Sequence, residues 1–176
     1  MRGAPGTVPP FVLTLAVTSL QVSVFLHVTA VVVGFGATFA EALAFPVAMQ
    51  MSARHLPYVH RLQLAINQRL ATPALVVVLV TGLYQVSKGN FDFGDFWISA
   101  TFAILIVIGG LLGAYFIPTD RKLGAMVEAE IAAAGDGEVT LSDEYQRRSR
   151  TEGMVGGLTG LLLVVAIYLM VTKPGL

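Results

Sequence analysis

The stretch VSVFLHVTAVVVGFGATFAEALAFPVAM, residues 22–49, decides the fold. As a helix it is long enough to cross the hydrocarbon core of a bilayer, which is roughly 30 Å thick. It also carries two ionisable residues, His27 and Glu41. An ionisable side chain inside a bilayer is costly and is expected to face protein or water, so these two residues are candidate functional positions.

The composition predicts a membrane protein. The chain has 176 residues, of which 55% are hydrophobic and 12% charged, and its mean hydropathy is +0.75, values outside the range of soluble globular domains. The formal net charge is zero, so charge suggests no nucleic-acid partner and no acidic substrate. The absence of cysteine excludes disulfides and thiolate metal sites within this chain.

Four apolar runs predict crossings at about 22–49, 70–86, 96–117 and 153–172. Pro57 suits the first turn of a helix that leads into the second crossing, and Pro118 is predicted to end the third. The polar residues 119–152 are predicted to form a cytoplasmic helical loop, with Thr140 or Ser142 capping the last helix. We therefore expect a single all-α domain over residues 1–176, an integral membrane four-helix bundle.

The N-terminal residues have two interpretations. Residues 1–10 are rich in proline and glycine and predict an irregular tail, followed by an interfacial or tilted segment over 11–21. Alternatively, Arg2 and the apolar run after it form a signal peptide that is cut after Ala30.

The distribution of basic residues predicts the orientation. Of the eleven lysines and arginines, eight lie in the two loops at 50–69 and 118–152, and three lie elsewhere. Because basic loops stay in the cytoplasm, both termini are expected outside a bacterial plasma membrane that the chain crosses several times.

Small residues are spaced for close helix packing. Gly109 and Gly113 form one G-x-x-x-G pattern, and two more overlap at 153–160. Such patterns let helix backbones approach within lipid. They predict contacts inside the bundle, and alternatively self-association or binding to other membrane subunits.

His27 is the candidate cofactor and metal ligand. It lies 14 residues before Glu41, about 1400° of helix rotation, so an uninterrupted helix places both on one face about 21 Å apart. The imidazole suits the iron of a haem b, or a position beside a quinone, and the alternative is a structural histidine. His55 and His60 lie too far along the chain to share that haem, which leaves Tyr84, Gln85 and Met170 as candidate second ligands.

The remaining charged residues have structural interpretations. Glu41 is predicted to pair with Arg69, because pairing lowers the cost of both charges near lipid, and the alternative is a proton-relay role for Glu41. His55, His60 and two neighbouring arginines are predicted to form a basic surface that meets anionic lipid headgroups.

Two stretches resemble a known family. Residues 25–39, FLHVTAVVVGFGATF, and residues 69–84, RLATPALVVVLVTGLY, are similar to the first two helices of small predicted bacterial integral membrane proteins (domain of unknown function 2269). More distantly, the chain resembles the copper-resistance D membrane domain and the J-type protoporphyrinogen oxidase, which binds haem. The latter resemblance implies that His27 is a haem ligand. The resemblance does not imply oxidase activity, because residues 99–101 lack the lysine that the oxidase has there and no histidine follows His60.

The sequence thus predicts a haem- or quinone-associated redox protein, or an accessory subunit of a redox complex. The alternatives are a structural or assembly subunit without a cofactor, and a small transporter or metal-permeation component.

Overall fold

The structure is a computed structural model that describes residues 17–89 and 91–175. Its four long helices are α1 (Ser19–Met51), α2 (Ala53–Lys88), α3 (Phe96–Ala134) and α4 (Asp143–Thr172), each apolar enough to cross a membrane. The described residues contain no strand, so the predicted all-α membrane fold is confirmed. The predicted tail over residues 1–10 lies outside the described residues.

The helices are longer than a bilayer core is thick. They contain 30 to 39 residues, or about 45–60 Å at 1.5 Å per residue, against roughly 30 Å of hydrocarbon. The excess lies at the end formed by residues 52–69 and 118–152, which we call the arginine-rich end. The opposite end, with Ser19, Lys88, Phe96 and Thr172, we call the terminal end.

Three of the helices contain a π-helical turn, at Val31–Phe35 in α1, Asn67–Ala71 in α2 and Leu112–Phe116 in α3. α1 has a second interruption, a turn at residues 42–43 directly after Glu41. A π-helical turn inserts one residue into the helix, which rotates the next segment relative to the previous one, and such turns recur at functional sites.

The π-helical turns explain why Pro118 does not end the third helix. The predicted end at residue 117 is wrong, because α3 continues through Ile117–Ala134 with Pro118 in the first turn after Leu112–Phe116. Pro73 occupies the same position after Asn67–Ala71. A proline lacks the backbone donor of a regular α-helix, and its ring is tolerated where the hydrogen-bonding pattern has already changed.

The predicted helix signals at the arginine-rich end are confirmed. Pro57 lies in the first turn of Leu56–Ile66. Ser142 caps α4, and its hydroxyl accepts the backbone N–H of Tyr145 at 3.2 Å. The two loops of this end are tied together by Arg54, which donates to the carbonyl oxygens of Gly135 and Gly137 at 2.6 Å each.

Helices that are adjacent in sequence pack side by side, α1 on α2, α2 on α3 and α3 on α4. α1 approaches α2 so closely that a Cβ on Gly34 would overlap the Cβ of Ala74. Three buried clusters follow the bundle axis, and the cluster of the arginine-rich end contains Ala48, Leu56, Val59, Leu123, Val127 and Tyr145. The core thus extends into the part of the helices beyond the predicted crossings.

The glycine patterns are only partly used for packing within the described chain. A Cβ on Gly109 would lie 3.0 Å from Leu75. By contrast, a Cβ on Gly113, Gly153 or Gly157 would meet no atom of another residue within 4 Å. The glycines of α4 line the cavity that is described below.

Candidate functional site

His27 faces α2 rather than lipid. Its Nδ1 lies 2.9 Å from the hydroxyl oxygen of Thr81, and that hydroxyl donates to the Val77 carbonyl oxygen at 2.5 Å. Because the hydroxyl proton is used in this way, the oxygen accepts from Nδ1–H, and Nε2 is left with a free lone pair. Ser23 and Gln85 extend the same polar contact between α1 and α2.

The candidate second ligands do not join His27 in one cavity. The Tyr84 hydroxyl donates to Ser19 at 2.8 Å. Met170 lines a cavity of about 220 Å³ at the terminal end, together with Trp97 and Lys173, and neither His27 nor Tyr84 is among its lining residues. A haem with His27 and one of these side chains as ligands stays a prediction.

The predicted ion pair between Glu41 and Arg69 is not formed. Arg69 is exposed, whereas Oε2 of Glu41 is buried and has no hydrogen-bond partner among the described residues. The ion pairs of the described chain join Arg61 to Glu128 and Arg148 to Glu144, and all four side chains are solvent-accessible. Glu41 and His27 also do not share a site, since a π-helical turn lies between them and rotates the following segment.

Glu41 instead belongs to a set of polar residues near the arginine-rich end. At its centre are His60 of α2, Asp120 of α3 and Glu152 of α4, which we call the His–acid cluster. One ligand atom from each of the three lies within 4.8 Å of the others. The three residues are only 1%, 2% and 8% exposed, respectively. His60 was predicted to lie on a basic surface, and its burial corrects that prediction.

Several polar atoms around the cluster are unpaired. Asp120 accepts the Asn67 side-chain N–H at 2.9 Å, and His60 Nε2 lies 2.7 Å from the Tyr145 hydroxyl. In contrast, Nδ1 of His60, Oε1 of Glu152 and Oε1 of Gln63 are buried and make no hydrogen bond of normal geometry in the described structure, with Gln63 beside His60 and Asp120 beside Glu152. Buried polar atoms are rarely left unpaired, so each needs an explanation such as a bound ion or water.

Helix geometry brings these residues together. On α2, His60, Gln63 and Asn67 follow the i, i+3, i+7 spacing that places side chains on one helix face. Asp120 and Glu152 lie on neighbouring helices where the apolar runs of α3 and α4 meet polar sequence. Glu41 lies where α1 turns at residues 42–43, and residues of all four helices line the cavity described next.

A cavity of about 510 Å³ opens beside the cluster, between α1 and α4. Its polar wall includes Glu41, Gln63, Asn67, Asp120 and Glu152, and its other walls are formed by apolar side chains and the glycines of α4. Phe39, Leu161 and Val164 line it and also have large exposed surfaces. The cavity therefore extends from the acidic groups to the lipid-facing surface of the bundle.

The carboxyl groups of this cavity have no matching positive charge. No ion pair of the described residues involves Glu41, Asp120 or Glu152. An isolated buried carboxylate is strongly destabilising, and several carboxylates close together repel one another. The arrangement is therefore suited to holding protons or a bound cation.

Comparison with known sequences supports the fold. A profile of the family described as "Predicted integral membrane protein (DUF2269)" matches residues 21–174. The chain belongs to the DUF2269 family. No curated protein and no solved structure matches it. The DUF2269 assignment confirms the predicted resemblance to this family and the multi-pass membrane character, while the copper-resistance and oxidase resemblances stay predictions.

Proposed function

We propose that this protein handles cations in the membrane, as a small transporter or as an accessory subunit of one. The single observation that carries the proposal is the convergence of Glu41, Asp120 and Glu152 on one cavity without a paired cation. Ionisable groups held inside a membrane protein mark ion pathways and proton relays. A proton or an incoming cation would neutralise the charge of these carboxyl groups, so binding of either one in the cavity is favourable.

The lipid-facing opening of the cavity supports this proposal. Gly153, Gly156, Gly157 and Gly160 form its wall on α4, and their lack of side chains leaves the space between α1 and α4 open. A Cβ on Gly160 would lie 3.5 Å from Phe39 and one on Gly156 would lie 4.0 Å from Phe116, whereas a Cβ on Gly153 or Gly157 would meet no neighbouring atom within 4 Å. Gly153 and Gly157 therefore preserve a route to the acidic groups.

Filling this route is expected to stop cation movement while leaving the acidic groups in place. Gly157→Leu adds a side chain whose first atom has free space, because nothing in the described structure lies within 4 Å of a Cβ there. We expect cation or proton flux into proteoliposomes, followed with a trapped fluorescent indicator, to fall by at least about tenfold. Glu41→Gln should reduce flux to a similar degree by removing one charge from the cavity.

The matched control is Gly110→Leu, which is equally free of close contacts and is not among the residues that line the cavity. Its flux should equal that of the wild type. Equal flux in the wild type, Gly157→Leu and protein-free vesicles would remove the transport proposal.

The orientation of the chain is a second expected result. Lacking cysteine, the protein allows single-cysteine labelling without background. Lys88→Cys at the terminal end should react with a membrane-impermeant maleimide in intact cells. Glu138→Cys at the arginine-rich end should react only after permeabilisation, because the basic loops are expected in the cytoplasm. The opposite labelling pattern would place both termini in the cytoplasm.

A haem- or quinone-associated redox role is the second candidate, and the tautomer of His27 favours it. Nδ1–H is engaged by Thr81, as the second nitrogen of a metal-bound histidine usually is, and Nε2 remains available to iron or to a quinone. Protein extracted in mild detergent should then show a Soret band that His27→Gln lacks. No Soret band, before or after haem titration, would eliminate haem.

A further inference from the structure

We propose that the His–acid cluster is a binding site for a divalent transition metal ion, with His60, Asp120 and Glu152 as ligands. This deepens the proposed function, since the metal would be the cation that the cavity admits. The inference also stands on the geometry of the cluster itself.

The spacing of the three residues suits one ion. Their ligand atoms lie within 4.8 Å of one another, whereas ligands about 2.1 Å from a tetrahedral metal lie about 3.4 Å apart. Small side-chain rotations therefore close the site. His60 Nδ1 and Glu152 Oε1 fit this assignment, because both are buried and make no hydrogen bond of normal geometry, although Gln63 lies within reach of His60 and Asp120 within reach of Glu152. A bound ion would satisfy such atoms.

The donor set selects the class of metal. One imidazole nitrogen combined with carboxylate oxygens suits Zn²⁺, Mn²⁺ or Fe²⁺, while Mg²⁺ and Ca²⁺ prefer oxygen ligands alone. The chain has no cysteine, so no thiolate favours a softer ion such as Cu⁺. Glu41 lines the same cavity with a buried, unpaired Oε2, but its oxygens are not among the atoms that lie within 4.8 Å of one another, so the proposed protein ligands are the three residues of the His–acid cluster.

Neighbouring residues would orient the ligands. The Tyr145 hydroxyl lies 2.7 Å from His60 Nε2, which leaves Nδ1 as the free nitrogen. Asn67 donates to Asp120 Oδ2 at 2.9 Å and so fixes that carboxylate. Outer hydrogen bonds of this kind position metal ligands, and their loss typically weakens binding about 10- to 100-fold.

The test is calorimetric titration of the full-length protein in detergent with Zn²⁺ and Mn²⁺, after removal of metal by a chelator. The wild type should bind one ion per chain, and excess Mg²⁺ should not compete. His60→Gln should weaken Zn²⁺ binding by more than about tenfold, and Tyr145→Phe, which alters only the orientation of His60, by about tenfold. Co²⁺ should give a visible absorption spectrum that changes in His60→Gln.

The control variant is His55→Gln, on the same helix but at an exposed position, and it should bind as the wild type does. Should His60→Gln fail to fold, Asp120→Asn and Glu152→Gln keep the side-chain shapes and test the same site. The proposed metal site would be overturned if all three variants bound Zn²⁺ with wild-type affinity. It would also be overturned if His55→Gln weakened Zn²⁺ binding as much as they do.

The same measurements separate this inference from the proposed function. Stoichiometric metal binding without flux in proteoliposomes would remove the transport role and leave the metal site. Cation or proton flux in a protein that binds neither Zn²⁺ nor Mn²⁺ would overturn the metal site and leave the transport role. Gly157→Leu sharpens the distinction, because it should reduce flux while Zn²⁺ affinity stays within about twofold.

Discussion

The Glu152→Gln variant should be more stable than the wild type in metal-free detergent, and should lose cation flux. Glu152 is 8% exposed, no ion pair of the described residues involves it, and the carboxyl groups of Asp120 and Glu41 line the same cavity. An unsatisfied buried polar group costs about 1–3 kcal/mol, and more when charged. Glutamine has nearly the same shape without the charge, so we expect a gain of about 1–3 kcal/mol, seen as a higher unfolding temperature.

Added metal should reverse this order. An ion that binds only the folded protein stabilises it by an amount that grows with its concentration above the dissociation constant. Saturating Zn²⁺ should therefore raise the unfolding temperature of the wild type and have little effect on Glu152→Gln. The control is Glu138→Gln, which replaces an exposed glutamate of the arginine-rich end and should change neither result. A Glu152→Gln protein less stable than the wild type without metal would show that the carboxylate already has a compensating partner.

The fold could be predicted from the sequence because the bilayer imposes strong constraints. A spanning segment must satisfy its backbone hydrogen bonds internally and must be apolar over about 20 residues, and four such runs stand out. Local signals such as Pro57 and Ser142 also gave correct helix starts at the arginine-rich end. Pro118 gave an incorrect one, since the π-helical turn that accommodates it has no clear sequence signature.

The candidate site was harder to predict because it lies where the crossings end. Glu41 stood out as a carboxylate within an apolar run, but Asp120 and Glu152 lie in a polar stretch where acidic residues are common. Their burial depends on α3 and α4 continuing past the predicted crossings and packing together. One signal was available: His60, Gln63 and Asn67 follow helical spacing along α2, which places three uncharged or weakly basic polar side chains on one face of that helix.

The missing ion pair has a related cause. Charge alone favours the pairing of Glu41 with Arg69. Side-chain direction depends on the rotation of each helix, however, and both residues lie close to interruptions, at residues 42–43 and at Asn67–Ala71. One inserted residue is enough to turn Arg69 outward while Glu41 lines the cavity.

Leu123→Ala, a substitution outside the polar residues, is expected to lower the stability of the protein strongly. Leu123 is 0% exposed and packs with Leu56, Val59 and Tyr145 at the arginine-rich end. Within lipid, apolar burial between helices gains little, because lipid tails are as apolar as leucine. At this end the helices extend beyond the predicted crossings, where we expect water around them, so burial should stabilise the fold by the hydrophobic effect. Truncation of a buried leucine costs about 2–5 kcal/mol, and we expect the unfolding temperature in detergent to fall by several degrees or more.

Leu123→Ala also links stability to the site. Tyr145 belongs to the same cluster of buried residues and contacts His60, so a cavity at Leu123 should loosen the orientation of His60 and weaken Zn²⁺ binding as well. The control is Leu158→Ala on α4, where the leucine is 59% exposed and faces the predicted lipid phase. That variant should unfold within about 1–2 °C of the wild type, since an exposed side chain leaves no cavity. An equal fall of the unfolding temperature in Leu123→Ala and Leu158→Ala would mean that the arginine-rich end does not form a water-facing core. The bilayer would then have to cover more of the helices than the apolar runs indicate.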